Sequence, residues 1–522
     1  MFYLTKRMGN FWKAFERDIV SQGGRINAVE SIDRHAADPK SMALVFQNES
    51  GKVEEFTYLK LKEETCRFAN LLNRLKVRKG SRIFIFLPKI PEMYTAFLGA
   101  IRHGSIPIPL FEAFQSGGVS LRLERGDANV LITNRELSKR IPRDIGKKIP
   151  SLKHLLVTDS EQYRKGMRGS SPEFETVLKK KDDTAMMIFT SSTTGTPVAG
   201  IEIPHGAIIQ QHQTAKLVLD LKENDRYWCT AHPGWVTGSV YGILAPLSIG
   251  CTNYIYEGHF DSKKWIKFII KNRISVMYTA PTALRMLKSE IRSEDLKDVR
   301  VLASVGEALT STLFNHYKKL GIEINDTYWQ TETGAMVIAN WPSLRKKSGS
   351  LGKPLPGITA AIIGGAIALK PDFPSLMTGI YKHDKMYRGY FEKGWFMTND
   401  LARKDREGYF FFDARKDDII KTSGERVSPI EIESILLKHE SVKESAVIGI
   451  PDKIRGSIIK AFVVLNKGAK GSEELKEKLK NFVKKDYAGH AYPREIEFAD
   501  SLPKTESGKI MRNVLRNKYL RI

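Results

Sequence analysis

Apolar and polar positions change their period repeatedly along this chain. Short apolar or β-branched runs stand at RIFIFLP (82–88), VLITN (130–134), AMMIFTSS (185–192), VMYTAPTALRML (276–287) and VRVLASVGEAL (299–309). They alternate with amphipathic stretches at helical spacing, which predicts an α/β fold with largely parallel strands. A second style begins near residue 394. GWFMTNDLARKDREGYFFFDARKDDIIKTSG reads as two strands joined by a turn at Arg406-Glu407-Gly408. PIEIESILLKH then reads as a helix opened by Ser428-Pro429, ESAVIGIPD and IIKAFVVLNKG as strands, and EELKEKLKNFVKKDY as a helix. The pattern predicts a large N-terminal α/β domain over 1–416 with mixed or parallel sheets. A small α+β domain of about 105 residues follows over 417–522.

Composition narrows the setting. With 522 residues, 42% hydrophobic and 27% charged, the chain has ample material for more than one core. Cys66, Cys229 and Cys251 are far apart and show no CxxC spacing, so neither a disulfide framework nor a zinc site is expected and a reducing cytoplasm fits. The opening MFYLTKRMGNFWKAFERD lacks an apolar secretory core, and no run reaches the ~18–20 apolar residues of a membrane span. The net charge of +24 admits a polyanionic partner or solvated surface lysine. Clusters such as Lys179-Lys180-Lys181 and Arg345-Lys346-Lys347 have loop-like context and no interleaved aromatics, and no nucleic-acid module is present. Nucleic acid is therefore not an expected partner.

Three segments carry candidate chemistry. In TSSTTGTPVAG (190–200), Thr190, Ser191, Ser192, Thr193, Thr194 and Gly195 offer hydroxyls and close backbone N–H groups, as polyphosphate binding requires. The flanking residues read as strand before it and, from Pro204-His205-Gly206, helix after it. It holds no lysine, and GxxxxGK[ST] is absent. DTYWQTETGA (326–335) presents Thr331 and Glu332 together, oxygen donors suited to magnesium. LPKTESGKIMRN (502–513) places Lys509 after a flexible Ser507-Gly508.

Together, in this order, the segments resemble the adenylate-forming superfamily of acyl-CoA synthetases, luciferases and adenylation domains, with the nearest likeness to AMP-forming acetyl-CoA synthetases. The blocks that carry it are TSSTTGTP, HPGWVTGSVYGILAPL, YTAPTALRML, SVGEAL, DTYWQTETG, GKPLPG, GWFMTNDLA, ARKDDIIKTSGERVSPIEIES and LPKTESGKIMR. The likeness runs from PLFEAF (109–114) to MRN (511–513). It implies ATP, Mg2+ and coenzyme A as ligands and a two-step reaction. A carboxylate attacks the α-phosphate of ATP; a mobile C-terminal domain then swings, and the CoA thiol displaces AMP. By this resemblance Lys509 offsets charge at the α-phosphate and Asp400 accepts both ribose hydroxyls. Arg415 also reaches the ribose, and Arg426 contacts phosphate. Gly306, Glu307, Ala308, Asp326, Thr327, Tyr328, Trp329, Gln330 and Thr331 match the adenine pocket and Glu332 the metal ligand. Asp417 matches the hinge, and Ser423 and Gly424 the pantetheine tunnel. Arg135, Lys139 and Arg140 are candidates for the CoA 3′-phosphate.

The phosphate loop departs from the family's usual pattern. Ser192 replaces a glycine, Thr196 and Val198 stand where lysines are common, and Asn399 precedes Asp400 where glycine is usual. Trp329 matches a tryptophan that closes the acyl pocket in acetyl-CoA synthetases, with Val236, Thr237 and Val305 as the other walls. That implies an acid of two or three carbons. A medium-chain or aromatic acid ligase, and a catalytically silent nucleotide-binding relative, remain alternatives.

Overall fold

Four of the five apolar runs become inner strands of two sheets, and the fifth, Thr184–Phe189, the edge of a third, in the computed structural model, which describes residues 11–20, 24–190, 199–415, 418, 420–422, 425–452, 456–486, 492–504 and 510–519. One sheet has nine strands, ordered Lys353–Pro354, Ile338–Ala339, Asn325–Tyr328, Val301–Val305, Val276–Thr279, Arg226–Cys229, Thr252–Glu257, Met42–Asn48 and Val53–Thr57. Neighbours are parallel from Asn325–Tyr328 through Met42–Asn48, and antiparallel pairs flank them. The other is a four-stranded parallel sheet, Ile106–Leu110, Arg82–Phe86, Val130–Thr133 and His154–Val157. Every residue of Val276–Thr279 and Val301–Val305 is buried, which is why these strands read as continuous apolar runs and not as alternating ones.

Strand order marks a switch point in the nine-stranded sheet. After Arg226–Cys229 the chain places Thr252–Glu257 on one side of that strand and Val276–Thr279 on the other. Connections diverge here, and in open α/β sheets the carboxyl ends of strands at such a switch point are where ligands sit.

The strand–turn–helix expectation for TSSTTGTPVAG fails. Gly200–Pro204 is itself a strand, antiparallel to Thr184–Phe189 with Ile201 opposite Ile188, and Gly379–Ile380 joins its other edge. The helix Ala207–Val218 begins only afterwards. The segment therefore joins two strands of a hairpin, closed at its base by the Thr190 N–H on the Ala199 carbonyl at 3.2 Å. The period-two run Gly-Ile-Glu-Ile-Pro, with only Glu202 partly exposed, was the signal for that strand.

Farther on, Trp395–Lys404 and Phe410–Arg415 pair antiparallel around the expected turn, in a register that sets Asp400 opposite Arg415. The apolar cluster of the large unit reaches Phe410, with Phe412 packed against it. A separate core starts at Ile420 and gathers Val427, Ile432, Leu436, Val447 and Leu479. It lies between the strands Val442–Asp452, Gly456–Leu465 and Glu495–Phe498 and the helices Pro429–Leu436 and Glu473–Asp486. Leu515 of the helix Arg512–Asn517 packs in a further small cluster with Ile448 and Phe462. The chain is thus a large α/β unit followed by a separate α+β unit. Among the described residues no helix is long and apolar enough to cross a membrane.

Candidate active site

At the switch point the Thr230 and Thr279 hydroxyls meet at 2.8 Å, joining the ends of two neighbouring strands. HPGWVTGS follows. A Cβ on Gly234 would lie 2.4 Å from the Phe111 backbone nitrogen, and one on Gly238 2.2 Å from the His232 carbonyl oxygen. Only glycine permits such contact, so this block is clamped onto the PLFEAF backbone. His232 accepts the Gly234 N–H at Nδ1, at 2.8 Å, and donates from Nε2 to the Leu87 carbonyl at 3.1 Å. Burial pushes its pKa down to about 3, so the ring stays neutral and this tautomer holds. Val236 and Thr237, both half-buried, then open the helix Val236–Ser239. A wide π-type turn, Val240–Leu244, continues it and carries Tyr241.

Trp329 faces this region. Its indole N–H donates to the Tyr278 hydroxyl at 3.2 Å, and its ring meets Tyr241 edge-on with centroids 5.1 Å apart. Tyr278 is fixed in turn by the Thr327 hydroxyl at 2.7 Å, and the Tyr241 oxygen accepts the Met336 N–H at 2.9 Å. Two buried tyrosines thus hold the indole in one orientation. Val305 ends its strand nearby in the sheet, opposite Thr327.

The nearest chain neighbours of Trp329 serve Asp400. Tyr328 donates to Asp400 Oδ2 at 2.8 Å and Gln330 Nε2 to the same oxygen at 2.6 Å. Arg415 Nε lies 3.6 Å from Oδ1; the aspartate side chain is 6% exposed and that of the arginine 49%. Burial lowers the Arg415 pKa, but the Asp400 and Glu332 carboxylates more than offset this, and the guanidinium stays charged. Asn399 adopts φ +59°, a left-handed conformation that asparagine tolerates better than most residues. That explains how it stands in for glycine.

Glu332 accepts from the Tyr390 hydroxyl at 3.1 Å, and burial raises its pKa. Thr331 beside it is half-buried. Glu307 is gripped by Thr282 Oγ1 at 2.8 and 2.7 Å and by Arg285 at 2.9 Å, next to Gly306 at φ +89° and Ala308. Asp326 is buried, and desolvation lifts its carboxyl to about 7 despite a 2.6 Å bond from Ser304 Oγ. Arg140 spends its guanidinium on the Glu112 carbonyl at 2.7 Å, and Lys139 pairs with Glu136 at 2.5 Å on the surface.

Ser191, Ser192, Thr193, Thr194, Gly195, Asp417, Ser423, Gly424 and Lys509 lie outside the described residues, as does the side chain of Arg426. Sequence reasoning did not single out Tyr241, Tyr278, Thr282, Arg285 and Tyr390. The first four stand inside quoted blocks; Tyr390 sits in the polar stretch KMYRGYFEKG and gave no signal.

Comparison with known proteins matches the profile of the AMP-binding enzymes over residues 32–371 and that of the AMP-binding enzyme C-terminal domain over 431–509. The chain belongs to the AMP-binding enzyme family. Among AMP-binding enzymes, it is 45% identical over 521 residues to the acetyl-coenzyme A synthetase of Bacillus subtilis (strain 168), covering 94% of this chain and 90% of that protein. It is 34% identical over 552 residues to the acetyl-coenzyme A synthetase of Methanothrix thermoacetophila, covering 95% and 84%. The fold superposes with a TM-score of 0.88 on an anthranilate CoA ligase solved in complex with anthranoyl-AMP, at 27% identity over 95% of this chain and 98% of that one. The junction between the two matched regions of this AMP-binding enzyme contains the Asp400–Arg415 pair.

Proposed function

We propose that this chain is an AMP-forming acetate–CoA ligase. In the first step an acetate oxygen attacks the α-phosphorus of ATP, the bond to pyrophosphate breaks, and acetyl-AMP forms. In the second, the CoA sulfur attacks the acetyl carbonyl carbon, its proton is lost, and AMP leaves.

The observation that carries the short-chain reading is Trp329, pinned by Tyr278 and edged by Tyr241 on the turn that continues the Val236–Ser239 helix. A locked indole there leaves space for few carbons. Asp400 supports the nucleotide reading. Tyr328 and Gln330 donate to one of its oxygens, and Arg415 stands beside the other, an arrangement suited to receiving a sugar diol. Glu332 and Thr331 fit a magnesium ion carried by the triphosphate: a carboxylate that burial disfavours as an anion gains from a hard dication beside it. When bound, magnesium would neutralise phosphate charge. Lys509 would act at the α-phosphate and Arg426 at phosphate, while Ser423 and Gly424 would line the thiol's path. The domain boundary is placed at 416/417 with Asp417 as pivot, between the core that includes Phe410 and the one that starts at Ile420. We place the reaction in the cytoplasm, where ATP and CoA are available and free Cys66, Cys229 and Cys251 stay reduced.

The test is pyrophosphate release and thioester formation with ATP, CoA and carboxylates from acetate to benzoate. Acetate should give the highest kcat/KM. Preference for hexanoate or benzoate would replace the short-chain reading with a medium-chain or aromatic one. No pyrophosphate with any acid would mark a silent nucleotide-binding relative.

A further inference from the structure

Beyond Arg415, the next described residue is Asp418, whose N–H donates to the Arg415 carbonyl at 2.9 Å. Its carboxylate is held from the far end of the chain. Arg516 donates to Oδ1, and Arg512 Nη1 lies 3.6 Å from Oδ2. Both arginines belong to the helix Arg512–Asn517. Arg512 is also locked to Glu433: Nη2 reaches its two oxygens at 2.9 and 2.7 Å, and Nε reaches Oε1 at 3.1 Å. Glu433 is 6% exposed and takes the Val447 N–H at 2.7 Å. A flat guanidinium fork on a buried carboxylate fixes direction as well as distance, which an exposed ion pair does not.

Lys509 lies three residues before Arg512. The segment 505–509 is bracketed by the Lys504–Ile510 bridge and by the Met511 N–H on the Pro503 carbonyl at 2.8 Å. The network grips the chain immediately after that bracket. It joins the residue beside the pivot, the Pro429–Leu436 helix and the C-terminal helix at one guanidinium.

We propose that Arg512, held between Asp418 and Glu433, is a positioning residue that transmits the orientation of the pivot to the Lys509 segment, and so governs adenylation and not thioester formation. This rests on the adenylation reading above. Adenylation needs the lysine ammonium at the α-phosphate, and misplacement by about 1 Å can cost 10²-fold in rate. Thioester formation from acetyl-AMP makes no use of that ammonium.

The experiment compares wild type, Arg512→Lys and Asp418→Asn in two assays, acetate-dependent ATP–pyrophosphate exchange and thioester formation from supplied acetyl-AMP and CoA. Lysine keeps the charge and loses the fork; Asp418→Asn leaves the Arg512–Glu433 pair intact. Exchange should fall by about 10- to 100-fold in Arg512→Lys, chiefly in kcat, and less in Asp418→Asn, while thioester formation changes by no more than about threefold in either. Equal loss in both half-reactions, or no loss in exchange, overturns the proposal. If Arg512→Lys does not fold, Asp418→Asn decides by the same ratio. Wild type without acetate-dependent exchange would instead count against the acetate ligase reading.

Discussion

Replacing Trp329 by glycine tests the acyl pocket most directly. The indole is buried and held by one hydrogen bond to Tyr278 and one edge contact with Tyr241. Tyr278 keeps its second partner, Thr327, so the deletion does not orphan that hydroxyl. Loss of a buried tryptophan costs about 3–5 kcal/mol of stability, so the variant should fold with a lower Tm. The vacated volume should accept a longer chain, each newly buried methylene contributing about 0.8 kcal/mol. At 1.36 kcal/mol per tenfold, butyrate should gain about 15-fold over acetate relative to wild type and hexanoate about 200-fold, as upper limits. Acetate, no longer confined, should lose kcat/KM. The ATP constant should move little, because the backbone at Tyr328 and Gln330 is anchored independently by Val337 at 3.2 Å and Thr333 at 2.9 Å. The assay is kcat/KM for straight-chain acids of two to eight carbons in both proteins. An unchanged profile in the variant would show that Trp329 does not bound the pocket, and specificity would then be sought at Val236, Thr237 and Val305.

Three further outcomes follow from the same reasoning. Lys509→Ala should abolish acetyl-AMP formation and largely spare thioester formation from supplied acetyl-AMP; parallel loss in both assays would refute domain alternation. Lysine at Thr196 or Val198 should lower the ATP Michaelis constant, more at low ionic strength than at high, and a constant unaffected at every salt concentration would place the triphosphate elsewhere. Burial raises the Asp326 carboxyl to about 7, so the folded chain holds that proton more tightly than the unfolded one. Its stabilising contribution is complete below about pH 4 and is lost as pH rises through about 7. Asp326→Asn should therefore show a flatter fall of Tm between pH 5 and 8, and equal slopes in the two proteins would contradict the shifted carboxyl.

Much of this protein was legible in its sequence, because the signals are local. Strands buried on both faces read as unbroken apolar runs, and Val276–Thr279 and Val301–Val305 are such strands. Asp400, Arg415 and Glu332 stand in blocks whose residue types state their chemistry, and the turn at Arg406–Gly408 marks the hairpin, but a register shift between Leu401 and Ala402 is what sets Asp400 opposite Arg415. Other features depended on partners distant in the chain. Gly200–Pro204 is only five residues long and is stabilised as a strand by Thr184–Phe189 and Gly379–Ile380, so local period alone was too weak to outweigh the helix that follows. Tyr390 reaches Glu332 across 58 positions and Arg512 reaches Glu433 across 79, contacts that no spacing encodes. The orientation of Trp329 was decided by strand order: the switch point beside Arg226–Cys229 brings Tyr278 and Tyr241 to one place. Sequence thus determined which groups are available, because side-chain chemistry and period are properties of short segments. Tertiary structure decided which groups meet, because that is set by sheet order and by packing across the whole chain.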